Sequence, residues 1–158
     1  EISACLVGSE MCIRDRYLRM ITVTADITAP LYWWKEYDTY KVGTVANSCS
    51  TMHKIQAKEF VLSDFSTEHL STTNLIVFNM VIDAMNNARL DFLQRKDKRD
   101  WWQMIQMLPT CYNQKRTVQL NYAVLKNMYH SRQNHKLDEW REFCKWVETL
   151  PYSQLITG

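Results

Sequence analysis

The 158-residue chain is poor in the residues that punctuate a fold. It has three glycines, Gly8, Gly43 and Gly158, and three prolines, Pro30, Pro109 and Pro151. So few glycines exclude a glycine-rich phosphate cradle, whether a Walker loop or a dinucleotide-binding turn. No run of about 18 apolar residues occurs, so no helical membrane span is expected. Neither sign of charge dominates: 19 Lys and Arg stand against 17 Asp and Glu, a net +2. That gives no reason to expect a nucleic-acid partner. The five cysteines include no CxxC pair, and Cys49, Cys111 and Cys144 are far apart. A zinc site or disulfide framework is therefore not expected, no metal is assigned, and a reducing cytoplasm is the expected location.

What is present is apolar and aromatic. Hydrophobic residues make up 46% and aromatics 12%, with six Trp and eight Tyr, which fits an ordered globular chain. Surplus aromatics serve as core, subunit interface or stacking surface. The segment Leu6 to Asp15, LVGSEMCIRD, resembles the in-frame translation of a sequencing-library adapter. Residues 1–16 are therefore expected to be non-native, and 17–158 to form one domain of a metagenomic fragment that lacks its natural start. Leaving them out removes Arg14, Arg16, Glu1, Glu10 and Asp15, so 17 basic and 14 acidic residues remain, +3.

Along the chain, Tyr17 to Thr28 is rich in β-branched residues and apolar at both parities, which predicts a strand covered on both sides. Ala29-Pro30 opens a helix through LYWWKEYDTYK, with Pro in its first turn, ended by Val42-Gly43. Lys35 and Glu36 read as solvated. Thr44 to Ser50 reads as a loop of small polar residues, and Thr51 to Phe65 is ambiguous. Ser66-Thr67-Glu68 and Ser71-Thr72-Thr73 both read as helix-start signals, and a long helix is expected to about Gln94, with Leu75, Phe78, Ile82, Met85, Leu90 and Leu93 as its core face. Asp100 or a neighbour caps a short helix that Pro109 ends. A last helix, Leu137 to Leu150, carries Trp140, Phe143, Cys144 and Val147 on its buried face. Few strands and longer helices predict an α+β class, a small mixed or antiparallel sheet packed against several long helices.

The most informative stretch is Leu108 to Arg132. Gln114 to Leu120 reads as a strand with Val118 and Leu120 on one face. From Asn121 the period becomes helical, with Val124, Leu125, Met128 and Tyr129 in an apolar stripe. At about 100° per residue, Asn121 and Arg132 fall roughly 20° apart near the middle of that stripe. A cation there must snorkel, pair or meet a ligand. Asn127 projects to the polar side of His130 and Ser131. On spacing alone, Asn121 caps the helix and Arg132 snorkels at its end.

A Leu-Pro, a strand, Asn121 opening a helix, Asn127 six residues on and Arg132 five beyond together resemble the C-terminal half of flavin-dependent thymidylate synthases. Ile21 to Ser50 is similar to the same family in the same order: strand, Ala-Pro, aromatic helix, then the signature loop. The two regions and the helices between them cover somewhat over half of the chain. The family's Arg-His-Arg falls on Thr39-Tyr40-Lys41, its first Ser on Thr44, its Asn-Glu on Ala46-Asn47, its second Ser on Cys49, and an Arg one turn earlier on Lys35. Only one of the loop's two arginines is kept as a cation, as Lys41, without the bidentate fork.

The resemblance implies the family's fold and reaction: dUMP methylated to dTMP, with FAD as cofactor and NADPH and methylene-tetrahydrofolate as co-substrates. It implies flavin contacts at Asn121, Asn127, Tyr40 and Lys41, and dUMP contacts at Lys35, Thr44, Asn47, Cys49 and Arg132. Arg132 would sit on the uracil as the catalytic cation. It also implies a homotetramer with sites built across subunits. Three readings stay open: a divergent synthase, a homologue that keeps the fold and binds without turnover, and an unrelated aromatic-rich interaction module. Cys49 is the alternative nucleophile, with only His53 near it in sequence.

Overall fold

The computed structural model describes residues 16–40, 42–48 and 54–158. The order of elements is β1 (Thr22–Pro30), α1 (Leu31–Tyr37), β2 (Thr44–Ser48), a 3-10 turn (Leu62–Asp64), α2 (Thr72–Arg95), α3 (Lys98–Met107), β3 (Asn113–Asn121), α4 (Tyr122–Arg132), α5 (Asp138–Glu148) and α6 (Gln154–Thr157). The class is α+β, as the alternation of periods predicts. The three strands form one sheet in the order β1-β3-β2. The Tyr122 amide donates to the Ile21 carbonyl and the Leu31 amide to the Tyr112 carbonyl, while Thr117 donates to Asp26 across the strands. As one position rises by five the other falls by five, so β1 and β3 run antiparallel in unbroken register.

Several boundaries differ from expectation. Residues 16–18 are a helical turn rather than strand, and β1 begins at Thr22. Nor is β1 covered on both sides: Thr22, Thr24, Asp26 and Thr28 are exposed, and Val23, Ala25 and Ile27 are half-buried. The exposed parity is the one with hydroxyl and carboxylate groups, so polarity decides the face. The strand runs through Ala29-Pro30, and α1 follows directly. Thr44 to Ser48, expected as loop, is a strand. Asp97, not Asp100, caps α3, accepting from the Arg99 amide at 2.9 Å. Ser71 caps α2 as expected, accepting from Asn74.

The chain divides into two compact units: Glu1–Ile27, Lys35–Asn47 and Arg116–Gly158 in the first, Thr28–Trp34 and Ser48–Lys115 in the second. In the first, α4 packs on α5 and α6. Its core includes Leu120, Leu125, Met128, Trp140, Val147 and Ile156. The buried face of α5 is Trp140, Phe143, Cys144 and Val147, as its spacing predicts.

In the second unit α2 packs on α3, around Phe60, Phe65, Ile82, Met85, Ala88 and Met104. Leu90 and Leu93, expected in that core, are 50% and 38% exposed. Ala88 and Phe92 take the face instead. Leu108 is extended, the conformation Pro109 demands of its predecessor, and this ends α3.

A side chain substitutes for a strand partner in the second unit. Asn86 on α2 donates to the Phe60 carbonyl and accepts from the Phe60 amide, each at 2.9 Å. This pins an irregular segment whose backbone groups have no ladder. Asn86→Ala should cost about 2 kcal/mol, because both partly buried backbone groups lose their partner. Urea unfolding checks this. Asn86→Asp, which keeps only the acceptor, should fall between wild type and Asn86→Ala.

Candidate functional site

The site is built where the sequence places a cation on an apolar stripe. Asn121 ends β3 in an extended conformation and its Oδ1 accepts from the Val124 amide at 3.0 Å, the cap expected from spacing. Eleven residues later Arg132 is the last residue of α4, and it is paired. Its Nη1 donates to Glu36 Oε2 at 2.9 Å and its Nε to the Tyr40 hydroxyl at 2.9 Å. The guanidinium carbon lies 5.0 Å from the Trp140 ring centroid and 5.6 Å from that of Tyr40. Trp140 Nε1 donates to the same Glu36 oxygen at 2.9 Å, and His135 Nε2 lies 3.4 Å from it. His135 Nδ1 accepts from the Leu137 amide at 3.2 Å. That fixes the neutral tautomer with its proton on Nε2, toward Glu36.

Glu36 is therefore not solvated, as the sequence suggests, but is the hub of the cluster. The sequence shows that Arg132 on an apolar stripe must snorkel, pair or meet a ligand, but not that Glu36, 96 positions away, is the partner. The Tyr40 ring is at the site, but its hydroxyl is engaged by Arg132.

Asn121 meets the segment after α1. Gly43 has φ +80, and a Cβ there would stand 2.6 Å from Asn121 Nδ2 and 3.0 Å from Val124. Only glycine fits this approach, and it brings the two sequence stretches of the resemblance into contact. Thr44 donates to the Tyr40 carbonyl at 2.7 Å, closing the turn into β2. Asn47, on β2, and Lys35 are exposed. Lys41, Cys49 and His53 lie outside the described residues.

Asn127 is not brought to this cluster. Five residues at about 100° each set it roughly 140° from Arg132 around α4. It lines an open cleft with Leu18, Arg19, Ala123, Lys126 and His130, and its Oδ1 is 3.5 Å from the Ser131 hydroxyl. The guanidinium and Asn121 thus both meet the segment from Glu36 to Gly43, at opposite ends of α4, and Asn127 faces another side. Among the described residues no group of three or more His, Cys, Asp or Glu is placed to hold a metal ion.

Two outcomes follow from the geometry. Glu36→Ala removes the carboxylate of a half-exposed pair and the acceptor of a buried indole. It should cost about 1–2 kcal/mol. Glu36→Gln, which keeps an acceptor, should cost less, and denaturant unfolding ranks the two. The second concerns the thiol of Cys144, which burial and then the Glu148 carboxylate push up to about 11. The unfolded thiol ionises near 9, so the unfolded chain releases its proton first. Stability is full below pH 9 and is lost between 9 and 11, by about 1–3 kcal/mol. Cys144→Ala should flatten that loss in denaturant titrations at pH 8 and 10.5.

No family model and no curated protein matches the sequence. Solved structures do. A flavin-dependent thymidylate synthase, ThyX from Helicobacter pylori complexed with FAD and dUMP, is similar over 98% of this chain and 89% of its own, with TM-score 0.62 and 16% identity. A second structure of Helicobacter pylori ThyX with FAD and dUMP is similar over 85% of this chain and 71% of its own, with TM-score 0.61 and 19% identity. At these identities the likeness is one of fold: the chain has a flavin-dependent thymidylate synthase-like fold.

Proposed function

We propose that the chain is a divergent flavin-dependent thymidylate synthase. It binds FAD and dUMP and converts dUMP and methylene-tetrahydrofolate to dTMP and tetrahydrofolate. NADPH supplies the two reducing equivalents and leaves as NADP⁺. The observation that carries this reading is the Arg132–Tyr40 cluster at one end of α4 and the Asn121–Gly43 contact at the other, on a fold shared with proteins complexed with FAD and dUMP. Arg132 is the cation set against the uracil, where it stabilises developing negative charge. Lys35, Thr44, Asn47 and Cys49 accompany it on dUMP, and Asn121, Asn127, Tyr40 and Lys41 contact the flavin.

The residues fit a flavin in part. Asn121 and Asn127 offer carboxamides and Tyr40 an aromatic wall, while Thr39 brings no charge to the loop. Bound flavin would supply the hydride-transfer chemistry. Because α4 turns Asn127 and Arg132 to different sides, one ligand in one protomer does not reach both. The reading therefore includes a homo-oligomer, a tetramer, whose sites are completed across subunits. Ile76, Val77 and Met80, at 61%, 56% and 65% exposure on α2, suit such an interface. No described helix is long and apolar enough to cross a membrane, and we place the protein in the cytoplasm.

A second reading is a homologue that binds nucleotide without turnover. The altered loop favours it, because Thr39 and Tyr40 stand where the resemblance puts an arginine and a histidine.

The test loads purified protein with FAD, removes the excess and records the flavin absorbance. Melting is then followed with dUMP, and dTMP formation with the full substrate set. Bound flavin and dTMP support the synthase. A colourless protein stabilised by dUMP supports the second reading, and no response to FAD or dUMP overturns both. Arg132→Lys, which keeps the charge but loses the fork, should weaken dUMP binding by about tenfold or more. It should leave flavin uptake unchanged.

A further inference from the structure

The order β1-β3-β2 puts β3 on one side of β1 and no described strand on the other. The ladder says which groups lie on that outer side. The Tyr122 amide donates to the Ile21 carbonyl and the Leu31 amide to the Tyr112 carbonyl. Odd-numbered residues of β1 therefore turn their amides and carbonyls to β3. By the alternation of an antiparallel ladder, even-numbered residues turn theirs outward.

Edge strands are commonly kept short, bulged, or guarded by Lys or Pro. β1 has none of these devices along its length. It runs nine residues, TVTADITAP, without Lys or Arg, and its one proline is its last residue. Its register with β3 is unbroken, which leaves no bulge. Thr22, Thr24, Asp26 and Thr28 are exposed on one face, while Val23, Ala25 and Ile27 are half-buried on the other. The strand is also nearly self-complementary about Ala25. Read inward from its two ends, Thr22-Val23-Thr24 meets Thr28-Ile27-Asp26.

We propose that β1 pairs antiparallel with β1 of a second copy of this chain, about a twofold axis at Ala25. Outward backbone groups bond only where even positions face even positions, so the axis passes through a residue, with Thr24, Ala25 and Asp26 as the central choices. An axis at Asp26 sets two carboxylates directly opposite, which repels. An axis at Thr24 sets Val23 against Ala25 and leaves Ile27 beyond the other strand's end. An axis at Ala25 sets Val23 of one copy against Ile27 of the other on the half-buried face, and Thr24 against Asp26 on the exposed face. The second is the hydroxyl–carboxylate pair that Thr117 and Asp26 already make between β3 and β1, at 2.6 Å. The interface is isologous, so each contact occurs twice, and the two sheets become one continuous sheet. It adds a named interface to the homo-oligomer of the reading above. It does not rest on flavin or dUMP binding, which absorbance and melting test separately.

The test is sedimentation velocity of the full chain over a range of concentrations, with amide hydrogen exchange followed by NMR. The expected result is reversible self-association, with protection of the Thr24 amide that rises with concentration. Thr24→Pro removes an outward amide and leaves the ladder to β3 intact. It should weaken association by about tenfold or more, because symmetry removes two bonds. Thr24→Lys, opposite Asp26, should tighten association about threefold or more, and Thr24→Asp should weaken it by as much. Three results overturn the proposal: a chain that stays monomeric, Thr24→Pro associating as the wild type does, or the Lys and Asp variants moving association alike. Protection of Thr24 that is equal at all concentrations also overturns it, since another segment of the same chain then covers the edge. Should Thr24→Pro fail to fold, the two charge variants decide.

Discussion

One carboxylate oxygen organises the first unit. Glu36 Oε2 receives Arg132 Nη1 and Trp140 Nε1 and stands within ion-pair distance of His135. The end of α1, the end of α4 and the first turn of α5 therefore meet at a single atom. Each partner has a reason to be there. Arg132 lies on an apolar stripe and needs an acid, Trp140 is buried and needs an acceptor, and His135 is oriented by the Leu137 amide. The Coulomb energy of a half-exposed pair is small, about 1 kcal/mol. Excluding the guanidinium from water between two aromatic rings adds cation–π attraction and packing. The cluster thereby fixes the position of the Tyr40 ring and with it the turn that leads through Gly43 to β2.

A guanidinium held this way differs from a free one. Its net charge toward an incoming ligand is reduced by Glu36, so a second carboxylate or phosphate gains little there. A planar, polarisable group that accepts hydrogen bonds can still use the remaining N–H groups. Such a cation suits the edge of a neutral base more than the phosphate of a nucleotide. Phosphate needs charge without a local counterion.

The sequence made some of this legible and hid the rest for physical reasons. The buried face of α5 and the switch from strand to helix at Asn121 could be read because burial there follows the element's own period. Val118 and Leu120, or Trp140, Phe143, Cys144 and Val147, declare their face by spacing alone. Strand β2 could not be read that way. Thr44 to Ser48 is small, polar and without alternation, and its strand character comes from pairing with β3. Leu90 and Leu93 mislead because they stand off the stripe of Ile82, Met85, Ala88 and Phe92 that faces the core. Glu36 looked solvated because its partner is 96 positions away, beyond any local pattern. Among site residues, Asn121 as cap and Asn127 on the polar side were legible from the helical wheel. The engagement of Tyr40 by Arg132 was not.

The same wheel limits what a fold likeness can transmit. Arg132 is on one side of α4, and Asn127 is on another with Lys126 and His130. A scheme that assigns both Arg132 and Asn127 to ligands must therefore supply two binding surfaces per helix, or a second chain that closes one of them. A monomer with one crevice does not meet that requirement.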